Sequence, residues 1–145
     1  MAKFFGELPN DLLQVFEDLE TNAPIMMGKM CQAGARVVYN NVVKHLGKSF
    51  KNPSTLLKGL KVTKVYKTPS DDGINVHIGF YGYNKDKITA AHPKGVPIPL
   101  IAMAREYGTS SGEDAKPFLR KSFSKKDIEA AMLEVQNQYI KEEEQ

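Results

Sequence analysis

Apolar residues recur every three or four positions in four parts of the chain, which is the spacing of an amphipathic helix. The pattern predicts helices over about 9–20, about 24–46 and about 100–107, and a last helix that opens at Ser124. Pro24 suits the first position of the long helix, where its missing N–H costs nothing. The apolar stripe of the long helix consists of Met27, Cys31, Gly34, Val38, Val42 and His45. Gly34, in mid-helix, indicates the close approach of another element.

Between the long helix and residue 100, the pattern becomes that of a β-hairpin. Residues 61–67 are rich in β-formers, and residues 74–83 alternate apolar and polar side chains around the turn at Asp72-Gly73. The following segment, about 84–99, contains three prolines and Gly95, which predicts an exposed loop. These elements predict an α+β fold, in which an antiparallel sheet (the hairpin of about 61–83 plus further short strands) packs against the long helix, with N-terminal and C-terminal helices.

The chain has 145 residues, of which 41% are hydrophobic and 26% charged, as expected for one folded domain. We predict a single domain over 1–145, with a core of about 9–140 and a frayed acidic tail at 141–145. The lone Cys31 cannot form an intramolecular disulfide, which favours a reducing cytoplasm. No signal-peptide core and no run of about 20 apolar residues is present, so we expect neither secretion nor a membrane partner.

Charge is segregated along the sequence. No acidic residue lies between Thr21 and Ser70, where nine basic residues give +9, while the rest of the chain carries −6. The basic stretch includes Lys44, Lys48, Lys51, Lys58, Lys61, Lys64 and Lys67. Such asymmetry suits nucleic acid, an anionic surface or a second copy of the chain, whereas isolated lysines merely solvate a surface.

The sequence offers little that predicts catalysis. Gly108 to Gly112 match the G-x-S-x-G pattern, but no histidine follows Ser110, so a hydrolase is not supported. Gly47-Lys48-Ser49 lacks the earlier glycine of a phosphate-binding loop. His77 and His92 have no partner at metal-ligand spacing. We therefore predict no enzyme activity, no catalytic residue, no cofactor and no metal.

A nucleic-acid interface is the alternative that the composition leaves open. Tyr39, Phe50 and Tyr66 interleave with the lysines of the basic stretch, as aromatic and basic residues do in single-strand binders. No zinc-finger, K-homology or RNP-like pattern accompanies them. A small basic nucleic-acid-binding protein is therefore the second hypothesis.

Residues 101–110 and 115–123 together resemble the C-terminal signature of a tail-component family of long-tailed phages, the tail-completion or head-tail joining proteins. The family pattern is a helix, Glu-aromatic-Gly-Thr, a polar loop, and Ala-x-Pro-Phe-Leu-Arg before a last helix. Its two halves correspond here to Arg105, Glu106, Tyr107, Gly108 and Thr109, and to Lys116, Pro117, Phe118, Leu119 and Arg120. The resemblance covers about 25–135, although Thr55-Leu56-Leu57 departs from the usual Thr-Gly-x-Leu.

The resemblance implies a structural virion protein that forms a ring, with six copies expected, at the head-tail interface. Its implied partners are itself, the tail tube or tail terminator and the head-connector proteins, with DNA as lumen contents. Assembly in the host cytoplasm follows from the same resemblance. Arg120 is expected to present its planar fork to a carboxylate, either Glu106 or an acid of the next subunit. Gly108 is expected to end its helix with a positive φ.

Overall fold

The computed structural model describes residues 10–143, so Pro9, Glu144 and Gln145 of the predicted boundaries lie outside it. The fold is α+β, as the sequence predicts. Its helices are α1 (Asn10–Ser49), α2 (Ser54–Gly59), α3 (Ile98–Tyr107) and α4 (Lys125–Glu143), with a 3-10 turn at Arg120–Ser122. Its strands are β1 (Leu60–Val62), β2 (Tyr66–Lys67), β3 (Ile74–Asn75), β4 (Ile78–Phe80), β5 (Tyr83–Asn84) and β6 (Val96–Pro97).

Helix α1 is one continuous helix of 40 residues that contains Pro24. The predicted division into helices over 9–20 and 24–46 is therefore wrong. A proline inside a helix removes one hydrogen bond and costs about 3 kcal/mol. The helix continues because residues on both sides of Pro24 share one apolar face toward α4. Leu19 and Met26 line a common apolar cavity with Tyr139 and Ile140.

Helix α4 lies antiparallel against α1. A Cβ at Gly34 would lie 3.1 Å from Ile128 and 3.4 Å from Met132, so the predicted close approach is made by α4 side chains. Toward the other end of α4, the Lys29 ammonium lies 5.1 Å from the centre of the Tyr139 ring. Helix α4 continues to Glu143, so residues 141–143 of the predicted frayed tail are helical.

The predicted hairpin forms and contacts α1. Strand β1 pairs antiparallel with β4 in the register Leu60 to Phe80, and β2 pairs with β3 in the register Lys67 to Ile74. Three residues lie between β1 and β2, whereas two lie between β3 and β4. The first half of the hairpin therefore carries one extra residue. Such a bulge increases the local twist and divides the hairpin into two short ladders.

The segment 84–99 is more ordered than the predicted exposed loop. Its two ends pair as β5 and β6, with Tyr83 opposite Pro97 and Asn84 opposite Val96, and α3 already begins at Ile98. Gly95 has φ +103°, and a Cβ there would overlap the carbonyl oxygen of Asn84. The proline and glycine content correctly indicated turn residues, but it did not reveal the pairing of β5 with β6. Gly95 permits that pairing because it has no Cβ to overlap Asn84.

The core lies where α1, α2, β1 and α3 meet the segment after Thr109. Its buried apolar residues are Val38, Val42, Leu46, Leu56, Leu60, Ile98, Ala102 and Phe118. Phe118 is fully buried, and its ring meets those of Phe50 and Phe80 edge to face at centroid distances of 5.9 and 5.8 Å. The C-terminal segment therefore supplies the largest side chain of the core.

We predict that Phe118→Ala lowers the free energy of unfolding by about 3 to 5 kcal/mol, because it removes a fully buried ring and leaves a cavity. Phe123→Ala is the matched control, since Phe123 lies in the same segment but is 54% exposed. We expect the control to change the free energy by less than about 1 kcal/mol. Urea unfolding followed by circular dichroism measures both; equal losses would contradict the position of Phe118 in the core.

Candidate functional site

The buried carboxylate of Glu106 is the centre of the site. Ile98, Ala102 and Glu106 follow one another at intervals of four, so they lie on one face of α3 and are its buried residues. Glu106 is only 2% exposed. An ionised carboxylate in such a place costs several kcal/mol unless hydrogen bonds satisfy it. The structure must therefore supply donors to both oxygens.

Four N–H groups from one short segment donate to this carboxylate. The amides of Phe118 and Leu119 donate to Oε2 at 2.8 and 2.9 Å. The amide and the Nε of Arg120 donate to Oε1 at 3.1 and 2.9 Å. A carboxylate has about four lone-pair sites, so all of its acceptor capacity is used. Glu106 thus clamps the segment 118–120 onto α3.

The clamp determines the protonation of Glu106. Burial by itself raises the pKa of this carboxyl, but the amides of Leu119 and Phe118 and the side chain and amide of Arg120 favour the charged form. The net effect is a pKa below the ordinary value of 4.5. Glu106 is therefore an anion at neutral pH.

Arg120 pairs with Glu106 of its own chain, which is one of the two carboxylates considered from the sequence. The Arg120 guanidinium also lies 5.0 Å from the centre of the Tyr107 ring, a distance at which a cation is attracted by the ring face. The Arg120 side chain is 57% exposed, and Tyr107 is 63% exposed. The contact between Arg120 and Tyr107 therefore lies at the protein surface, next to the buried carboxylate of Glu106.

The polar loop between the two signature halves is tied to the same helix end. Gly108 has the expected positive φ, +79°, and its N–H donates to the Ala104 carbonyl. The Thr109 amide donates to the Glu113 carbonyl at 3.0 Å, and the Glu113 carboxylate pairs with Arg105 at 2.6 Å. The Lys116 amide donates to the Arg105 carbonyl at 2.9 Å. These bonds bring the chain back beside α3, where Glu106 receives it.

A second polar contact, which the sequence analysis missed, fixes the far side of the segment. Ser122 is fully buried, and its hydroxyl donates to the Phe118 carbonyl and lies 3.0 Å from Nδ1 of His45. Asn41 donates from its side-chain amide to the Ser122 carbonyl at 3.1 Å. Asn41 and His45 stand one turn apart on α1. The spacing of these two polar residues along α1 was the only signal in the sequence. Their partner, Ser122, lies about eighty residues away, so the sequence did not identify it.

The structure therefore joins the two signature halves into one unit. Of the ten signature residues, Glu106 and Phe118 are buried, and Arg105, Gly108, Thr109, Pro117 and Leu119 are half-buried. Tyr107, Lys116 and Arg120 are exposed. The resemblance marks all ten as interface candidates, and the contacts described above are those that they make within one chain.

The lysines of the basic stretch do not gather at one site. All seven lysines are exposed, and they are divided among α1, the connection to α2, α2 and the first arm of the hairpin. Lys61 lines a cavity with Arg36, Lys58 lines another with Lys85, and Lys67 forms an ion pair with Asp72. Lys51 lines a third cavity, about 500 Å³ in volume, together with Lys87, Arg105 and Lys116. Three of the four basic groups around this cavity thus come from outside the basic stretch.

We predict that Glu106→Gln lowers the free energy of unfolding at pH 7 by about 2 to 4 kcal/mol, because the amide nitrogen would face N–H donors. The pKa of Glu106 is lowered by folding, so its stabilising contribution is complete above pH 4.5 and is lost as the pH falls through the lower folded value. Urea unfolding between pH 7 and 3 should therefore show a smaller acid loss in the variant.

Glu113→Gln is the control for this prediction, since the Glu113 side chain is 41% exposed and pairs with Arg105 at the surface. We expect it to change stability by less than about 1 kcal/mol. Parent and Glu106→Gln curves that stay parallel across the acid range would show that Glu106 does not carry the buried charge.

No family model, curated protein or solved structure matches this chain. Within residues 10–143, no helix has both the length and the apolar composition required to span a membrane. Over the same residues, no three His, Cys, Asp or Glu side chains gather in a way that would hold a metal ion.

Proposed function

We propose that this protein is a structural virion component of a tailed phage or prophage, which joins or completes the tail at the head-tail interface and performs no catalysis. The observation that carries the proposal is the Glu106 clamp. The two sequence segments that resemble the tail-component signature are brought together by it, through hydrogen bonds from Phe118, Leu119 and Arg120. The residues that carry the resemblance thus form one hydrogen-bonded unit, which supports the proposal.

The proposed working form is a homo-oligomeric ring, with six copies expected from the resemblance. A closed ring needs a heterologous interface, in which two different patches of each subunit meet. The opposite charges of the basic region and of the rest of the chain suit such an interface. Large exposed apolar side chains on α1, among them Val15, Phe16 and Ile25, add surface that association would cover. Tail and head-connector proteins are the further partners, with DNA in the lumen.

The second hypothesis, a small basic nucleic-acid-binding protein, has less support from the geometry. A groove that follows a phosphate backbone requires basic groups in a continuous path. Three lysines of the basic stretch instead line three separate cavities: Lys61, Lys51 and Lys58. Phe50 is half-buried beside Phe118 and is not available as an open stacking platform.

The proposal predicts that deletion of this gene from its phage or prophage yields heads and tails that fail to join, because the connecting ring is missing. Complementation with the parent chain should restore joined particles, counted by electron microscopy and by plaque yield. Complementation with Phe123→Ala, which alters an exposed side chain of the C-terminal segment, serves as an expression-matched control. Normal particle yield without the gene, or a gene outside a block of portal, capsid and tail genes, would contradict the proposal.

We predict that any binding of DNA is weak and electrostatic, since the available contacts are lysines that reach phosphates and not base edges. Retention of a labelled duplex should fall steeply between about 50 and 200 mM salt and should not differ between unrelated sequences. Filter binding across that salt range measures it. Sequence-selective retention at physiological salt would favour the second hypothesis over the first.

A further inference from the structure

The N-terminal part of α1 exposes large apolar side chains along its length. We call residues 10–20 the arm. Every residue of the arm is exposed, including five large apolar side chains. These are Leu12 (39%), Leu13 (41%), Val15 (50%), Phe16 (52%) and Leu19 (43%). A contiguous exposed apolar stripe on a soluble domain marks a surface that meets a partner.

The arm continues the face that α1 packs against α4. Leu12, Phe16 and Leu19 follow the helical spacing that leads on to Met26, which faces Tyr139 and Ile140 of α4. The packing face of α1 thus extends past the region that α4 covers. Leu19 borders α4, whereas Leu12 and Phe16 continue the same face with their side chains exposed.

The arm is also purely acidic. Asp11 and Asp18 flank one side of its apolar stripe, and Glu17 and Glu20 flank the other. No lysine or arginine occurs between Asn10 and Gly28. A complementary surface must therefore combine apolar contacts with positive charge at its edges.

Such a surface lies at the other end of α1. The cavity of about 500 Å³ beside Ser49 is bordered by Lys51, Lys87, Arg105 and Lys116, and no acidic residue of the described chain lines it. We call it the basic cleft. Arg105 pairs with Glu113, but no salt bridge within residues 10–143 engages Lys51, Lys87 or Lys116. The cleft therefore has basic groups available for carboxylates of another molecule.

The basic cleft also offers apolar contacts. Phe50, Leu56 and Ile101 contribute to its lining, and the ammonium of Lys116 and the guanidinium of Arg105 lie 5.9 and 5.4 Å from the centre of the Phe50 ring. A helix is about 10 Å wide with its side chains. The cleft therefore accepts the side chains of one helical stripe while the helix lies across its mouth, the mode of helix-in-groove recognition.

The two surfaces cannot meet within one molecule, because about 45 Å of helix separates Leu19 from Ser49 at 1.5 Å per residue. We propose that the arm of one copy docks on the basic cleft of a second copy, with the Leu12–Phe16 stripe on the apolar lining and the flanking acids beside Lys51, Lys87 and Lys116. This contact is head-to-tail, so it closes into a ring or extends as a filament. The inference rests on the proposed function, since it names the two faces that build the ring.

The test uses charge reversal in the full chain. Glu17→Lys with Asp18→Lys reverses the arm, and Lys51→Glu with Lys87→Glu reverses the basic cleft. Sedimentation velocity over a range of protein concentrations, in buffer of low ionic strength, should show the parent as a multimer of the 16.2 kDa chain. Each reversed pair should weaken association by about tenfold or more. A chain carrying all four substitutions should regain association, since the charges again match.

Two matched controls separate this contact from general charge and hydrophobicity. Arg36→Glu with Lys61→Glu applies the same charge change to a different cavity, between α1 and β1, and should leave association unchanged. For the apolar stripe, Phe16→Ala should weaken association whereas Leu133→Ala, on α4 and similarly exposed at 54%, should not. Circular dichroism and melting temperature, unchanged in all of these surface variants, confirm that each remains folded.

Failure of charge rescue, or equal loss in the Arg36 and Lys61 control, would overturn the arm-to-cleft contact while an assembling parent keeps the proposed ring. A parent that stays monomeric at every concentration would also overturn the contact; the yield of joined particles then decides the proposed function separately. A duplex whose binding requires Lys51 and Lys87, in a chain that does not self-associate, would assign the basic cleft to nucleic acid and overturn the inference.

Discussion

The burial of one charge, the Glu106 carboxylate, constrains much of the molecule. The carboxylate occupies a core-facing position of α3 and needs several donors at once. Three consecutive amides, those of Phe118, Leu119 and Arg120, can reach it together only if the chain turns back at the end of α3. Gly108 makes that return possible for two reasons. It adopts a positive φ, which glycine tolerates, and it lacks the Cβ that would overlap the backbone of residues 113–115.

The same constraint links polar and apolar stabilisation. While Glu106 holds the amides, the Phe118 side chain enters the core between Phe50 and Phe80. On the opposite side, Ser122 is held by Asn41 and His45 of α1. The segment is thus fixed from two helices, and loss of either set of contacts would loosen the other. Within one chain, the residues from Arg105 to Arg120 therefore act as a folding unit, and Arg105 and Lys116 also border the cleft beside Ser49.

Periodicity predicted the elements well where one local pattern dominates. The α3 helix, its stop at Gly108 and the hairpin around Asp72-Gly73 follow from spacing and turn chemistry. Pro24 was misread because the rule that places proline at a helix start is local, whereas the contact of α1 with α4 spans it. The pairing of β5 with β6 was missed because prolines obscure strand patterns.

The candidate site was predictable in its members but not in its bonds. The interval of four between Ala102 and Glu106 reveals that Glu106 faces the core, and the sequence already suggested Arg120 as its partner. The amide donors could not be predicted, since backbone groups leave no trace in side-chain identity. The buried role of Ser122 depends on residues of α1 that are remote in sequence, so only the fold reveals it.

The central claim is that one buried carboxylate binds three consecutive backbone amides. Amide hydrogen exchange followed by NMR at neutral pH tests it most directly. The account predicts strong protection of the Phe118, Leu119 and Arg120 amides, comparable to that of core amides of α1 such as Val42, beside fast exchange at Asp114. Protection of these three amides should fall sharply in Glu106→Gln. Exchange at 118–120 as fast as at Asp114 in the parent chain would contradict the clamp.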